Sequence, residues 1–160
     1  MPFQTIKADF KFIVLATVIF VLALLMTAWD FVQIQKITYN FNLINVLGLV
    51  LFVIGIIIRL VGKKTLGKYY SYGLRTLPDH RLIKHGMYKH IRHPITLAAI
   101  IYSTGISLVF SSLYGLLLML LLVPCFQYRI KLEESMLIEK FGDEYLEYMK
   151  QTKKLIPLIY

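Results

Sequence analysis

Residues 85–93, HGMYKHIRH, bring three histidines and an arginine to the threshold of a long uncharged run that begins at Pro94. Proline suits the first turn of a helix, where its missing N–H costs nothing, and His93 then falls at the cap. A helix start exposes unpaired N–H groups and partial positive charge, which receive a carboxylate or a phosphate. Arg92 adds a full charge beside them, so physics alone describes an anion-receiving site at a membrane surface. Beyond the uncharged run, Arg129 and Glu133 stand four residues apart and share a helix face. Glu134 points about 100° away from Glu133 on the same helix. An exposed ion pair contributes little, but burial against the His/Arg loop would convert Arg129 and Glu133 into a site.

Four histidines, His80, His85, His90 and His93, raise the question of a metal. His90 and His93 have a workable helical spacing. With no cysteine and only Asp79 nearby, however, the arrangement matches none of the strong zinc patterns, and no metal is assigned.

These residues have to be carried by membrane elements. Of the 160 residues, 58% are hydrophobic, and the mean hydropathy of +0.65 exceeds that of ordinary soluble chains. The stretch Phe12 to Trp29 has no charge, and neither does Phe41 to Ile58, where Arg59 is placed to snorkel at the end of a span. The first apolar run is too long for a signal-peptide core and no small-residue cleavage motif follows it, so it is read as a span. Pro94 to Tyr128 is uncharged over 35 positions. As one helix it would extend about 52 Å across a hydrocarbon core of about 30 Å. A hairpin turning near Ser111, Ser112 and Gly115 resolves the excess. The expectation is one all-α membrane domain, 1–160, with four spans at about 12–30, 41–60, 94–110 and 113–129. A polar loop fills 62–93, and an amphipathic helical tail fills 130–160, broken near Gly142 and limited by Pro157.

Charge sets the sidedness. The net charge is +9, and the segment Val61 to His93 carries eight basic residues against Asp79 alone. Because this segment lies between apolar runs, the positive-inside rule accounts for the charge, and nucleic acid is not an expected partner. Anionic lipid headgroups or an anionic ligand are. The basic loop and both termini are expected on the cytoplasmic side, so that the tail returns to the face of the His/Arg loop. Cys125, the lone cysteine, excludes an intrachain disulfide.

In order and spacing, HRLIKHGMYKHIRHP and RIKLEESMLIEKFGDEYLEYMKQTKKLIP resemble the isoprenylcysteine carboxyl methyltransferases and their phospholipid methyltransferase relatives. The shared blocks are G-x-Y-x-x-x-R-H-P, R-x-x-x-E-E, F-G-x-E-Y and a terminal I-P, from about Asp79 to Pro157. The resemblance implies an integral membrane enzyme that uses S-adenosylmethionine without a soluble methyltransferase fold. It implies cofactor contacts from His80, Arg81, Leu82 and Ile83, from Tyr88, and from His93, Pro94, Ile95 and Thr96, with Glu133 holding a polar end of the cofactor. Arg129 is implied to serve the substrate, and Arg129 and Glu133 together are the implied catalytic pair. Thr96 stands where the family usually has tyrosine.

The chemistry of these groups fits that implication. Methyl transfer to a carboxylate needs alignment and exclusion of water rather than a strong base, and Arg129 can orient such an acceptor. Transfer to a lipid amine would need a base, for which a histidine or Glu134 is the candidate. The expected substrate is a lipidic or prenylated molecule or peptide entering from the bilayer. The alternatives are a phospholipid amine N-methyltransferase, an NADPH-dependent membrane reductase whose basic loop receives a 2′-phosphate, and a non-catalytic lipid-binding bundle.

Overall fold

The computed structural model describes residues 3–35, 40–71 and 81–155. Six α-helices account for most of them: α1 (Phe3–Asp30), α2 (Leu43–Leu66), α3 (Pro94–Val109), α4 (Leu113–Leu120), α5 (Leu122–Phe141) and α6 (Asp143–Gln151). Three stretches, Asp9–Gln33, Leu43–Tyr69 and Leu113–Phe141, are long and apolar enough to cross a bilayer, and α3 is a shorter apolar helix. Their side chains face outward on a scale no soluble core tolerates, with Leu25 at 61% and Ile57 at 53% exposure. Such a surface is stable against lipid.

α2 and α3 form an antiparallel pair with their backbones in contact. Gly48, Gly55 and Gly62 recur every seven residues along one face of α2. A Cβ on Gly48 would lie 2.5 Å from the Val109 backbone nitrogen, and one on Gly55 would lie 2.7 Å from that of Tyr102. Gly105 answers from α3, where a Cβ would come within 2.6 Å of the Phe52 nitrogen. Lipid tails are as apolar as leucine, so helices in lipid gain from this close approach rather than from hiding apolar surface. At one end of the pair, buried Asn45 donates to the carbonyls of Leu108 (3.2 Å) and Val109 (2.9 Å) and to Ser111 Oγ (2.7 Å). Those bonds satisfy the carbonyls that the end of α3 leaves unpaired.

The expected hairpin turns at Phe110, Ser111 and Ser112, with Ser111 at positive φ. Gly115 is not part of that turn. It lies inside α4, where a Cβ would strike the Thr27 hydroxyl of α1, and its N–H bonds the capping Ser112 Oγ. α1 packs along α4 and α5 through Ala23, Met119 and Leu122. The helix breaks at Leu121 because Pro124 lacks an N–H and its ring crowds the Leu120 carbonyl.

Two boundaries differ from the expected spans. α2 continues to Leu66, beyond the span limit near 60, since Lys63 and Lys64 in its last turn complement the helix dipole. α5 runs unbroken from the apolar run to Phe141, through the limit near 129. Charges end a span without ending a helix. Gly142, at φ 54°, then lets the chain turn back into α6.

Candidate active site

The His/Arg loop and the tail are joined by backbone hydrogen bonds. Ile91 and Lys153 form a parallel bridge. Arg92 N donates to Lys153 O (2.8 Å), His93 N to Lys154 O (3.1 Å), and Lys153 N to His90 O (3.0 Å). Next to Arg92 and His93 lies a cavity of about 240 Å³, lined from the ends of α2 and α3, the middle of α5, and α6.

Arg92 is the clasp. Its Nε donates to Glu134 Oε1 at 3.0 Å, and its Nη1 donates to the carbonyls of Met149 (3.1 Å) and Thr152. The guanidinium thus caps the C-terminus of α6, where the helix dipole favours a cation. Arg92 thus lines the cavity with its guanidinium already paired inside the protein, a pairing that the sequence did not show. The Tyr148 hydroxyl adds a bond to the Tyr88 carbonyl at 2.6 Å, tying α6 to the short 3-10 turn Gly86–Lys89.

His93 caps α3, with Pro94 at the first helical position as that signature predicts. Its ring lies between two carboxylates, with Nδ1 3.5 Å from Glu133 Oε2 and Nε2 3.3 Å from Glu134 Oε1. Burial alone would depress its pKa. The hydrogen bonds and charges of Glu133 and Glu134 outweigh burial and raise it above the ordinary histidine value. Glu134 is buried by this ring, by Arg92 and by Lys154 Nζ at 3.7 Å, whereas the Glu133 side chain keeps 36% of its surface open. Of the two carboxylates, Glu133 is the one that lines the cavity.

Arg129 lines the same cavity. Its guanidinium is 3.8 Å from the Asp9 carboxylate and 5.3 Å from the centre of the Phe12 ring, so α1 positions it. The expected partner, Glu133 one turn along, lies within its field, but Asp9 was not foreseen.

Of the other expected residues, Leu82, Ile83, Tyr88, Ile95 and Thr96 line the cavity beside His93, Arg129 and Glu133. Arg81 is exposed and outside the lining. Pro94 is buried as the first residue of α3 and does not line it either. His80 falls outside the described residues. Sequence reading missed Tyr69, Tyr70, Tyr145 and Tyr148 in the wall. The F-G-x-E-Y block contained one of them, but its tyrosine carried no assigned role. Arg59, expected to snorkel at a span end, instead lines the cavity with its guanidinium 5.8 Å over the Tyr102 ring, because α2 continues past it.

The sequence profile described as "Isoprenylcysteine carboxyl methyltransferase (ICMT) family" matches residues 46–139, more than half of the chain. The chain belongs to the isoprenylcysteine carboxyl methyltransferase family. The family match begins within α2, well before the motif blocks, so the N-terminal half contributes to it as well. A protein-S-isoprenylcysteine O-methyltransferase of Saccharomyces cerevisiae is 31% identical over 87% of this chain and 60% of its own. A probable protein-S-isoprenylcysteine O-methyltransferase of Oryza sativa subsp. indica is 32% identical over 72% of this chain and 62% of its own. Among solved structures, a eukaryotic intramembrane Ras methyltransferase ICMT superposes with a TM-score of 0.80 at 25% identity, covering 87% of this chain and 52% of that one. The chain thus spans about 60% of the length of the first curated relatives it matches. Together with the apolar helices, this family makes the chain an integral membrane protein.

Proposed function

We propose that this ICMT-family chain is an S-adenosylmethionine-dependent methyltransferase that esterifies a carboxylate on a prenylated cysteine or similar lipidic substrate. One observation carries the reading: Arg129 and Glu133 open into a single cavity whose wall joins the polar loop to the apolar bundle. The cavity fits the cofactor by the chemistry of its donors. Glu133 offers an accessible carboxylate to amino or hydroxyl groups, and Tyr88 offers an aromatic face. S-adenosylmethionine, when bound, supplies a methyl group activated by positive sulfur.

The protein's own part is to position reactants and exclude water. Arg129 orients an acceptor carboxylate by paired hydrogen bonds, and Asp9 fixes the guanidinium from α1. Phe126, Ile95 and Met136 give the wall an apolar lining suited to a lipid chain. A carboxylate acceptor is already deprotonated, so no base is required. The amine alternative would need one, for which His93 in the cavity wall is the remaining candidate, since Glu134 is committed to Arg92, His93 and Lys154. The reductase alternative would place a 2′-phosphate on the basic loop, and it is tested by offering NADPH beside S-adenosylhomocysteine to the same chain.

By the positive-inside rule we place the loop, the tail and both termini on the cytoplasmic side. The cofactor then enters from the cytoplasm and the lipidic acceptor from the bilayer. The test uses the whole chain in lipid nanodiscs with labelled S-adenosylmethionine, offering an S-farnesylated cysteine analogue and phosphatidylethanolamine in parallel. Base-labile label on the farnesylcysteine, lost in Arg129→Ala, is expected. Label on the amine lipid alone overturns the acceptor class, and failure to bind S-adenosylhomocysteine overturns the reading as a whole.

A further inference from the structure

Tyr145 lies in the first turn of α6 at 1% exposure, and it lines the cavity. Its hydroxyl has no hydrogen-bond partner among the described residues. Two polar groups near it are already engaged. Tyr148, whose ring centre is 5.8 Å away, gives its hydroxyl to the Tyr88 carbonyl. Arg92 is shared between Glu134 and the end of α6.

A buried hydroxyl without a partner destabilises the fold that holds it, and phenylalanine would fill the same ring volume without that cost. An orphaned phenol in the wall of a binding cavity therefore awaits an acceptor from outside the chain. Resting on the methyl-transfer reading of this cavity, we propose that the Tyr145 hydroxyl is a cofactor-binding group, donating a hydrogen bond to an oxygen or ring nitrogen of the S-adenosyl cofactor.

The location favours the cofactor over the lipidic acceptor. α6 lies outside the apolar spans, and the Gly142 turn and the Ile91–Lys153 bridge hold it against the polar loop. A prenyl chain arriving from lipid meets the helical wall of the bundle, whereas the polar cofactor meets α6. The phenol is also kept a donor. Burial, then the charges of Glu134 and Glu133, push its pKa far above the ordinary tyrosine value, so it stays protonated across the physiological range.

The test is calorimetric titration of the full chain in nanodiscs with S-adenosylhomocysteine, without acceptor, comparing the wild type with Tyr145→Phe. A Kd weaker by about three- to tenfold is expected for loss of one neutral hydrogen bond. The ligand-free melting temperature should be equal or higher, because the orphan is gone. Tyr148→Phe is the structural comparison, since it removes a satisfied phenol and should lower the ligand-free melting temperature. An unchanged Kd overturns the proposal, as does an effect confined to the acceptor KM. So does a fall in ligand-free melting temperature matching that of Tyr148→Phe, which would mean the hydroxyl has a protein partner. If the wild type itself binds no S-adenosylhomocysteine, the methyl-transfer reading has failed, an outcome distinct from a Tyr145 effect that fails to appear.

Discussion

α3 is held at its side and at its N-terminus by two different kinds of interface. Along α2 the contact is made by absence of side chains: Gly48, Gly55 and Gly105 let backbones touch. At the His93 end it is made by charge, with Arg92, His93, Lys154, Glu133 and Glu134 interlocked. The difference follows from the solvent. In lipid no hydrophobic effect drives two helices together, so fit and dispersion must do it. At the polar end, charges withdrawn from water persist only if each is paired and hydrogen-bonded. The glycine seam fixes where α3 stands, and the charged clasp fixes what stands in front of it.

Breaking each interface in turn should produce effects of different size. The largest belongs to the clasp. Glu134→Ala leaves Arg92 and His93 buried without their shared carboxylate, and a loss of about 3–5 kcal/mol in unfolding free energy is expected, read by denaturant titration in detergent. A loss under 1 kcal/mol would mean that water or Glu133 substitutes for it. Next comes the seam. Gly55→Ala puts a Cβ 2.7 Å from backbone that cannot yield like a flexible side chain, costing about 1–3 kcal/mol. An unchanged melting curve would show that α2 and α3 slide freely.

The smallest effect is a pH dependence present at one interface and absent at the other. Because the folded pKa of His93 is raised above its unfolded value of about 6.5, the imidazolium is bound more tightly in the fold. That stabilisation is complete below about pH 6.5 and is lost as pH rises through the raised folded value. The melting temperature should therefore decline from neutral toward alkaline pH, and His93→Gln should flatten the decline. A slope that survives the substitution would assign the titration to another group. The close contacts of the glycine seam are made largely by backbone atoms, so its contribution should not vary with pH over that range.

Local rules worked where one segment suffices. Uncharged length gave the apolar helices and the hairpin near Ser111. The proline signature placed His93 at the start of α3, and the glycine at 142 marked the break before α6. They failed where partners are remote. Arg92 read as an anion receiver because Glu134 and Thr152 lie 42 and 60 positions away. Arg129 does act on Glu133, as the i,i+4 spacing suggested, but its contact with Asp9 of α1 has no local signal. Gly48, Gly55 and Gly62 carry no local sign of their role, since close approach is a property of two helices.

What the sequence determined by itself is therefore the solvent and the chemistry: an all-helical chain made for lipid, with basic, histidine and carboxylate blocks whose order marks a methyltransferase family. Hydropathy and motif order are written in neighbouring residues, so they need no fold to be read. What only the tertiary structure decided is which charges pair with one another and which side chains line the cavity. Arg92 and Glu134 close the clasp, while Glu133, Arg129 and Tyr145 face the cavity. That division depends on distances between residues far apart in the chain, and those distances exist only once the tail has paired with the loop.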